Sequence, residues 1–116
     1  MSDCIFCKIV AGQLPSNKVY EDDQLLVFHD IHPFARVHVL IIPKLHVASL
    51  ADCTPEHADL LGKMLLLAPK LAKQLGLDAG FKTLINTGRG GGQEVFHIHV
   101  HVFGGGDPVR PAQNSN

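Results

Sequence analysis

Two periods of apolar and polar positions divide the chain into elements. Val37-His38-Val39-Leu40-Ile41-Ile42 is a nearly continuous β-branched and aliphatic run that ends at Pro43, which is how a strand buried on both faces reads. On that strand His38 shares a face with Leu40 and Ile42. Two shorter strands precede it, Lys18–Glu21 and Leu25–Phe28, separated by the turn residues Asp22-Asp23. From Thr54 the period becomes helical. Thr54 is placed to be the N-cap, Pro55 to be the first helical residue, and Glu56 supplies an acid to the first turn. Leu61, Met64, Leu65, Ala68, Leu71, Ala72 and Leu75 then recur at helical spacing, Asp59, Lys63, Lys70 and Lys73 take the opposite face, and Gly76 is a terminator. Pro69 lies inside this pattern and predicts a bend rather than two helices. Phe81–Asn86 and Val95–Phe103 read as strands on either side of a glycine-rich loop, Gly88–Gln93, and Cys4–Val10 as a short helical turn. The order predicts an α+β fold: a five-stranded antiparallel sheet with the long helix on one face.

Length and composition narrow the reading. The 116 residues fit one domain, taken as residues 1–105, and a tail at 106–116; the Gly-, Pro- and polar-rich composition of that end sets in at Gly104 and suggests a mobile or partner-docked segment. A hydrophobic content of 46% with 18% charged residues excludes a largely disordered chain. Net charge is −1 with no basic block, which argues against nucleic acid as the main partner. Apolar runs are short and Lys63 interrupts the leucine stretch, so no membrane span is expected. The start, Met-Ser-Asp-Cys, lacks the features of a secretory signal, and an odd number of cysteines, three, speaks against a disulfide scaffold; a reducing cytoplasm is the expected setting.

Histidine is where candidate chemistry concentrates. Three of the eight histidines lie at positions 97, 99 and 101. In a strand they share one face, while Phe96, Ile98, Val100 and Val102 share the other and form its core side. Three imidazoles on an exposed sheet face add nothing to stability, and their pKa values should be depressed and interdependent. Two chemistries suit the row: metal binding through His-x-His, or nucleophilic catalysis by a neutral imidazole whose neighbours orient it and move protons. The preceding loop holds four glycines in five residues, Gly88 to Gly92, which allows main-chain N–H groups to converge on an anion. Beside a histidine row, a phosphate cradle is the better reading of that loop than a flexible connector.

His97-Ile98-His99-Val100-His101-Val102-Phe103 resembles the His-φ-His-φ-His-φ-φ signature of the histidine-triad superfamily, φ being apolar. Asp3–Ile9, Phe28–Ile31, His38–Lys44 and Gly91–Phe96 extend the likeness, over residues 3 to about 105, to its nucleotide-binding Hint branch. The resemblance implies a homodimer whose sheets join across the interface, and hydrolysis of purine nucleoside 5′-phosphoramidates, typically AMP linked to an amine, and of aminoacyl adenylates, without a cofactor in the chemistry. It implies that His99 is the nucleophile, forming a nucleotidyl-histidine. His101 and the loop N–H groups would hold the phosphoryl oxygens, while His97 and His38 complete the catalytic set. Asp30 would bind ribose hydroxyls and Phe28, His29 and Ile31 the base. Asn86, Gly92, Gln93, Glu94 and Val95 fall at phosphate-contacting positions. Animal relatives often carry serine at the position of Glu94, with a proposed role in protonating the leaving amine. The tail also lacks a tryptophan that some members use to shape the partner's pocket.

Cys4-x-x-Cys7 taken alone reads as two buried structural thiols, and Cys53 as packed near the helix start. Some histidine-triad relatives bind structural zinc at the positions of Cys4, Cys7, His46 and His97, a Cys₂His₂ set. Besides the phosphoramidase reading stand a zinc hydrolase with a metal in the triad, dinucleoside polyphosphate cleavage as in the Fhit branch, and a non-catalytic purine-nucleotide-binding module.

Overall fold

The computed structural model describes residues 3–105. The tail expected at 106–116 lies outside the described residues. Helix α1 (Ile5–Val10) is followed by strands β1 (Lys18–Glu21), β2 (Leu25–His29) and β3 (Val37–Pro43), then helix α2 (Ala58–Gln74), β4 (Lys82–Leu84) and β5 (Val100–Gly104). The strands form one antiparallel sheet in the order β1-β2-β3-β5-β4, the α+β arrangement the periodicity predicts. Asp22 makes the β1–β2 turn tight, its Oδ1 accepting the N–H groups of Gln24 and Leu25 at 2.8 Å.

The alternation of β3 gives the sheet two different faces. Val39 and Ile41 pack with Leu25, Val27, Val100 and Val102 beneath α2, which contributes Met64, Leu67, Ala68 and Leu71. Leu40 and Ile42 pack with Leu26 and Phe28 against Phe6 of α1 on the other side. In register, Leu40 stands opposite His101, and His38 opposite Phe103. His38 and His101 therefore belong to the face that α2 does not cover.

Thr54 caps a 3₁₀ turn, Pro55–His57, that leads into α2; His57 closes the capping box by accepting the Thr54 N–H at 2.9 Å. Pro69 sits in α2 without dividing it, and Gly76 follows the helix end at φ +80°. The apolar stripe differs from expectation at one position: Leu67 is buried and Leu65 is exposed. The run Met64–Ala68 is apolar on every side of the helix, so its own pattern does not select the inward face.

Three strand expectations need correction. The fourth strand is confined to Lys82–Leu84 at the sheet edge, shorter than Phe81–Asn86. The last starts at Val100 rather than Val95, and it runs on through Gly104, so the compositional tail begins inside a strand paired with Val37. Phe96 is 42% exposed rather than in the core. Pro43 has no N–H with which to extend the β3–β5 ladder past Ile41 and Val100. The segment before Val100 bends away, and Ile98 N–H donates to the carbonyl of Val47 at 2.7 Å. Among the described residues no helix is long and apolar enough to cross a membrane.

Candidate active site

The histidine row is buried, not exposed: His97, His99 and His101 are 0%, 7% and 6% accessible. The cover comes from α1. Phe6 meets the His99 ring edge-on at 5.1 Å and the His97 ring at 5.9 Å, a role that its place between the two cysteines does not announce. The histidines compensate for the lost ladder with their own side chains. His97 Nε2–H donates to the Pro43 carbonyl at 2.7 Å, and His99 Nδ1–H donates to the His97 carbonyl at 2.7 Å. Each ring is thereby held in one tautomer: His97 presents a lone pair at Nδ1, and His99 presents one at Nε2.

His38 and His101 form a second chain of hydrogen bonds. Phe34 N–H donates to His38 Nδ1 at 3.0 Å, so the proton of His38 is on Nε2, 2.9 Å from His101 Nδ1. His101 then carries its proton on Nε2, a buried atom with no hydrogen-bond partner among the described residues. A buried N–H without an acceptor costs stability unless a ligand supplies one. Asp30 Oδ2 lies 3.5 Å from His38 Nε2, and Asp30 Oδ1 accepts the His32 N–H at 2.8 Å.

Burial holds all four imidazoles below the usual histidine range. His101 is pushed down to about 4, first by burial and then by His99 and His38, with Asp30 opposing. The expected direction is right, but desolvation, not mutual repulsion, is its main cause. These rings are neutral at pH 7, as a nucleophile and a hydrogen-bond donor require.

The glycine loop departs from expectation. Its N–H groups do not converge on an open cradle: those of Gly91 and Gln93 donate to the Gly88 carbonyl, and that of Gly92 to the Arg89 carbonyl. Gly88 and Gly92, at φ +73° and +85°, bracket this closed 3₁₀ turn, and a Cβ at position 92 would meet the Asn86 side chain at 4.0 Å. Gln93 braces it from inside, accepting the Gly88 N–H at 2.9 Å and donating to the carbonyls of Ala48 and Val95 at 2.7 and 3.0 Å. Gly92 and Gln93 thus shape the loop. The N–H groups of Glu94 and Val95 have no acceptor among the described residues. Glu94 is exposed, beside an open cleft that it lines with Ile5, His46 and Phe96.

Of the expected base contacts, Phe28 is buried edge-on against Phe6 at 5.4 Å, His29 is half-buried at the end of β2, and Ile31 is 85% exposed.

Cys4, Cys7, His46 and His97 come together at the N-terminus of α1, their donor atoms all within 4.8 Å of one another. His97 Nδ1 lies 3.4 Å from Cys4 Sγ, 3.5 Å from Cys7 Sγ and 3.2 Å from His46 Nδ1; Cys7 Sγ is 3.2 Å from His46 Nδ1. Around zinc, with bonds of about 2.3 Å to sulfur and about 2.0 Å to nitrogen, tetrahedral ligand atoms stand about 3.3–3.8 Å apart. The set fits that ion. The Nε2–H···O=C bond from His97 to Pro43 is also the outer-shell support that orients a metal-binding imidazole. Cys53 lies near the helix start, its Sγ 3.7 Å from the Ser49 carbonyl.

Tautomer-locked histidines on and just before the last strand, on the sheet face opposite the long helix and next to a closed glycine turn, are the arrangement of a histidine-triad domain, and the chain belongs to that family: the HIT domain model matches residues 11–107. Among relatives, it is 59% identical to "Protein HitA" of Neisseria gonorrhoeae (90% of this chain, 97% of the relative). It is 49% identical to a "14 kDa zinc-binding protein" of Brassica juncea (89% and 93%) and 44% identical to the "Purine nucleoside phosphoramidase" of Escherichia coli K12 (89% and 87%). Among solved structures, a HIT family hydrolase from Legionella pneumophila superposes with a TM-score of 0.90 at 44% identity, covering 96% of this chain and all of the other. A zinc-bound histidine triad family protein from Mycobacterium smegmatis gives 0.82 at 37% identity, covering 98% and 84%.

Proposed function

We propose that the protein hydrolyses purine nucleoside 5′-phosphoramidates of the AMP–amine kind, and aminoacyl adenylates, through a covalent nucleotidyl intermediate on His99. One observation carries the reading: the bond from His99 Nδ1–H to the His97 carbonyl leaves Nε2 as a lone pair that burial keeps unprotonated.

His99 Nε2 attacks the α-phosphorus. The P–N bond breaks, and the amine leaves with a proton taken from solvent; in an aminoacyl adenylate the P–O bond breaks and the carboxylate leaves without one. The positive charge left on the nucleotidyl-imidazole is stabilised by its Nδ1–H···O=C bond. Water then attacks the same phosphorus, returning the proton and releasing the nucleoside monophosphate and neutral His99. His101 Nε2–H, buried and lacking an acceptor among the described residues, donates to the phosphoryl group where charge develops, together with the N–H groups of Glu94 and Val95. Asp30 takes ribose hydroxyls, with Phe28, His29 and Ile31 toward the base and Asn86 toward the phosphate.

Cys4, Cys7, His46 and His97 are the residues that would hold zinc, which supplies a structural clip between α1 and the segment before β5 and no part of the phosphoryl chemistry. Among the described residues, the two donor groups close enough to share an ion are this one and Asp30–His38–His101; neither includes His99, which disfavours a metal held by the whole triad. The exposed edge strand β4 supports a homodimer joined through its sheet.

Mass spectrometry of protein quenched during turnover of an adenosine 5′-phosphoramidate tests the reading. An AMP adduct on His99, lost in His99→Ala, is the expected result. Nucleotide binding without adduct or turnover would leave a purine-holding module.

A further inference from the structure

Phe34 has no place in the chemistry so far. It lies in the irregular segment 30–36 between β2 and β3. Its main-chain N–H donates to His38 Nδ1 at 3.0 Å. Its ring lies 4.6 Å from that of His38, 5.7 Å from that of His101 at only 18° between planes, and edge-on to Phe103 at 5.4 Å. Phe34 is 61% exposed, while His38 and His101, whose imidazoles lie against its ring, are 2% and 6% exposed.

We infer that Phe34 is a positioning residue for His101: its N–H sets the direction of the hydrogen bond between the two imidazoles and its ring shuts water away from them, so that His101 offers Nε2–H to the reacting phosphoryl group. The reaction in this statement is the one proposed above; the positioning is independent of it.

Two neutral imidazoles sharing one hydrogen bond have two arrangements of similar energy. In one His38 donates to His101; in the other His101 donates to His38. The second would put a lone pair on His101 Nε2, facing phosphoryl oxygens that are themselves acceptors. Phe34 N–H removes the degeneracy, because it can bond only to a lone pair on His38 Nδ1 and so places the His38 proton on Nε2. Asp30 Oδ2, 3.5 Å from that nitrogen, favours the same direction.

The ring acts on charge. His38, His99 and Asp30 are the titratable groups acting on His101. Asp30 favours a proton there, whereas burial and the other two imidazoles oppose it and prevail, with the value near 4. Arg36, two residues beyond Phe34, turns its Nε–H to the Gly105 carbonyl. Removing the ring weakens the burial that keeps the pair neutral.

Imidazole ¹⁵N NMR of the full chain, with the pH profile of kcat on an adenosine 5′-phosphoramidate, tests this. Wild-type His101 is expected to carry its proton on Nε2, with a midpoint of about 4. Phe34→Ala keeps the N–H and loses the ring: the His101 midpoint should rise by about one unit or more toward the ordinary value, and the acid limb of kcat should follow. Phe34→Leu should restore at least half of both shifts. Phe34→Pro removes the N–H: mixed His101 tautomers and a kcat about tenfold lower are expected, with KM changed less than about threefold. Should the proline variant not fold, the alanine variant decides. A wild-type His101 protonated on Nδ1, or a midpoint unmoved by Phe34→Ala, overturns the inference. A His101 that behaves as expected, in a chain that forms no nucleotide adduct, overturns the proposed reaction and leaves the positioning role standing.

Discussion

His99 donates its Nδ1–H to the main-chain carbonyl of His97, two residues before it, at 2.7 Å. The acceptor belongs to the backbone, so no side-chain substitution at 97 removes it directly, and the lone pair on Nε2 survives wherever the local backbone path survives. Replacing the ring itself is another matter. His99→Ala should lower kcat by about 10³-fold or more while changing the dissociation constant for AMP only a few-fold, because a nucleophile contributes to the transition state rather than to ground-state binding. Steady-state kinetics beside calorimetric AMP titration checks both halves.

The His38–His101 pair predicts a smaller loss. His38→Ala leaves His101 Nδ1 without its donor and opens a space beside it, so the proton of His101 is no longer confined to Nε2. We expect kcat to fall about 10²-fold, with KM affected much less. An equal loss in binding and turnover would point instead to collapse of the pocket.

Gln93 should behave as a structural residue despite its place in the phosphate-contacting motif. Its amide makes three hydrogen bonds that tie the glycine turn to Ala48 and Val95. Gln93→Leu leaves partly buried main-chain groups unpaired and should cost about 1–3 kcal/mol in urea unfolding. KM for the nucleotide should rise as the turn loosens, and hydrogen exchange at Gly88–Gly92 should accelerate.

Metal removal separates scaffold from chemistry. If zinc occupies the Cys4–Cys7–His46–His97 set at a hundredfold excess over its dissociation constant, it stabilises the fold by about 2.7 kcal/mol. Chelation, or Cys4→Ser with Cys7→Ser, should then lower the melting temperature by roughly 10 °C for a domain of this size. The fraction still folded should keep its turnover within a few-fold. Abolished turnover in fully folded, metal-depleted protein would shift the chemistry onto the ion.

Stability should fall in acid, and the sign follows from the lowered histidine pKa values. Above about pH 6.5 these rings are neutral in both folded and unfolded chains and contribute no pH dependence. Below it the unfolded chain takes protons that buried His38, His97, His99 and His101 resist, so acid favours unfolding. For His101 the loss continues until about pH 4, where the folded ring also titrates. Each resisting histidine contributes a slope of up to about 1.4 kcal/mol per pH unit. Urea midpoints at pH 7, 6 and 5 should decrease in that order; a midpoint that stays level between pH 7 and 5 would contradict the buried neutral state.

Much of this was legible in the chain itself. The unbroken run Val37–Ile42 and the start at Thr54-Pro55 place β3 and the beginning of α2, and the histidine spacing locates the site. The strand read from Val95 is where alternation misleads. His97 and His99 keep the side-chain spacing of a strand, yet their own imidazoles, not a neighbouring strand, take the hydrogen bonds of Pro43 and His97. The glycine loop misleads similarly, since composition shows that N–H groups are available but not that the turn's own carbonyls claim them. Phe6 and Phe34 carry no periodic signal. Their importance comes from which rings they touch, and those contacts arise only when α1 and the 30–36 segment fold over the sheet.

The two faces of β3 have a consequence for how this sequence can vary. Neighbouring residues serve unrelated ends: Val39 and Ile41 hold the long helix, while His38 and Leu40 back the reaction chamber. A single codon inserted between Val37 and Ile41 would exchange the two sets, driving an imidazole under the helix and an aliphatic side chain into the chamber. A substitution at Val39 or Ile41 acts first on the packing under the helix, whereas a shift of register within that strand disturbs that packing and the histidine side together.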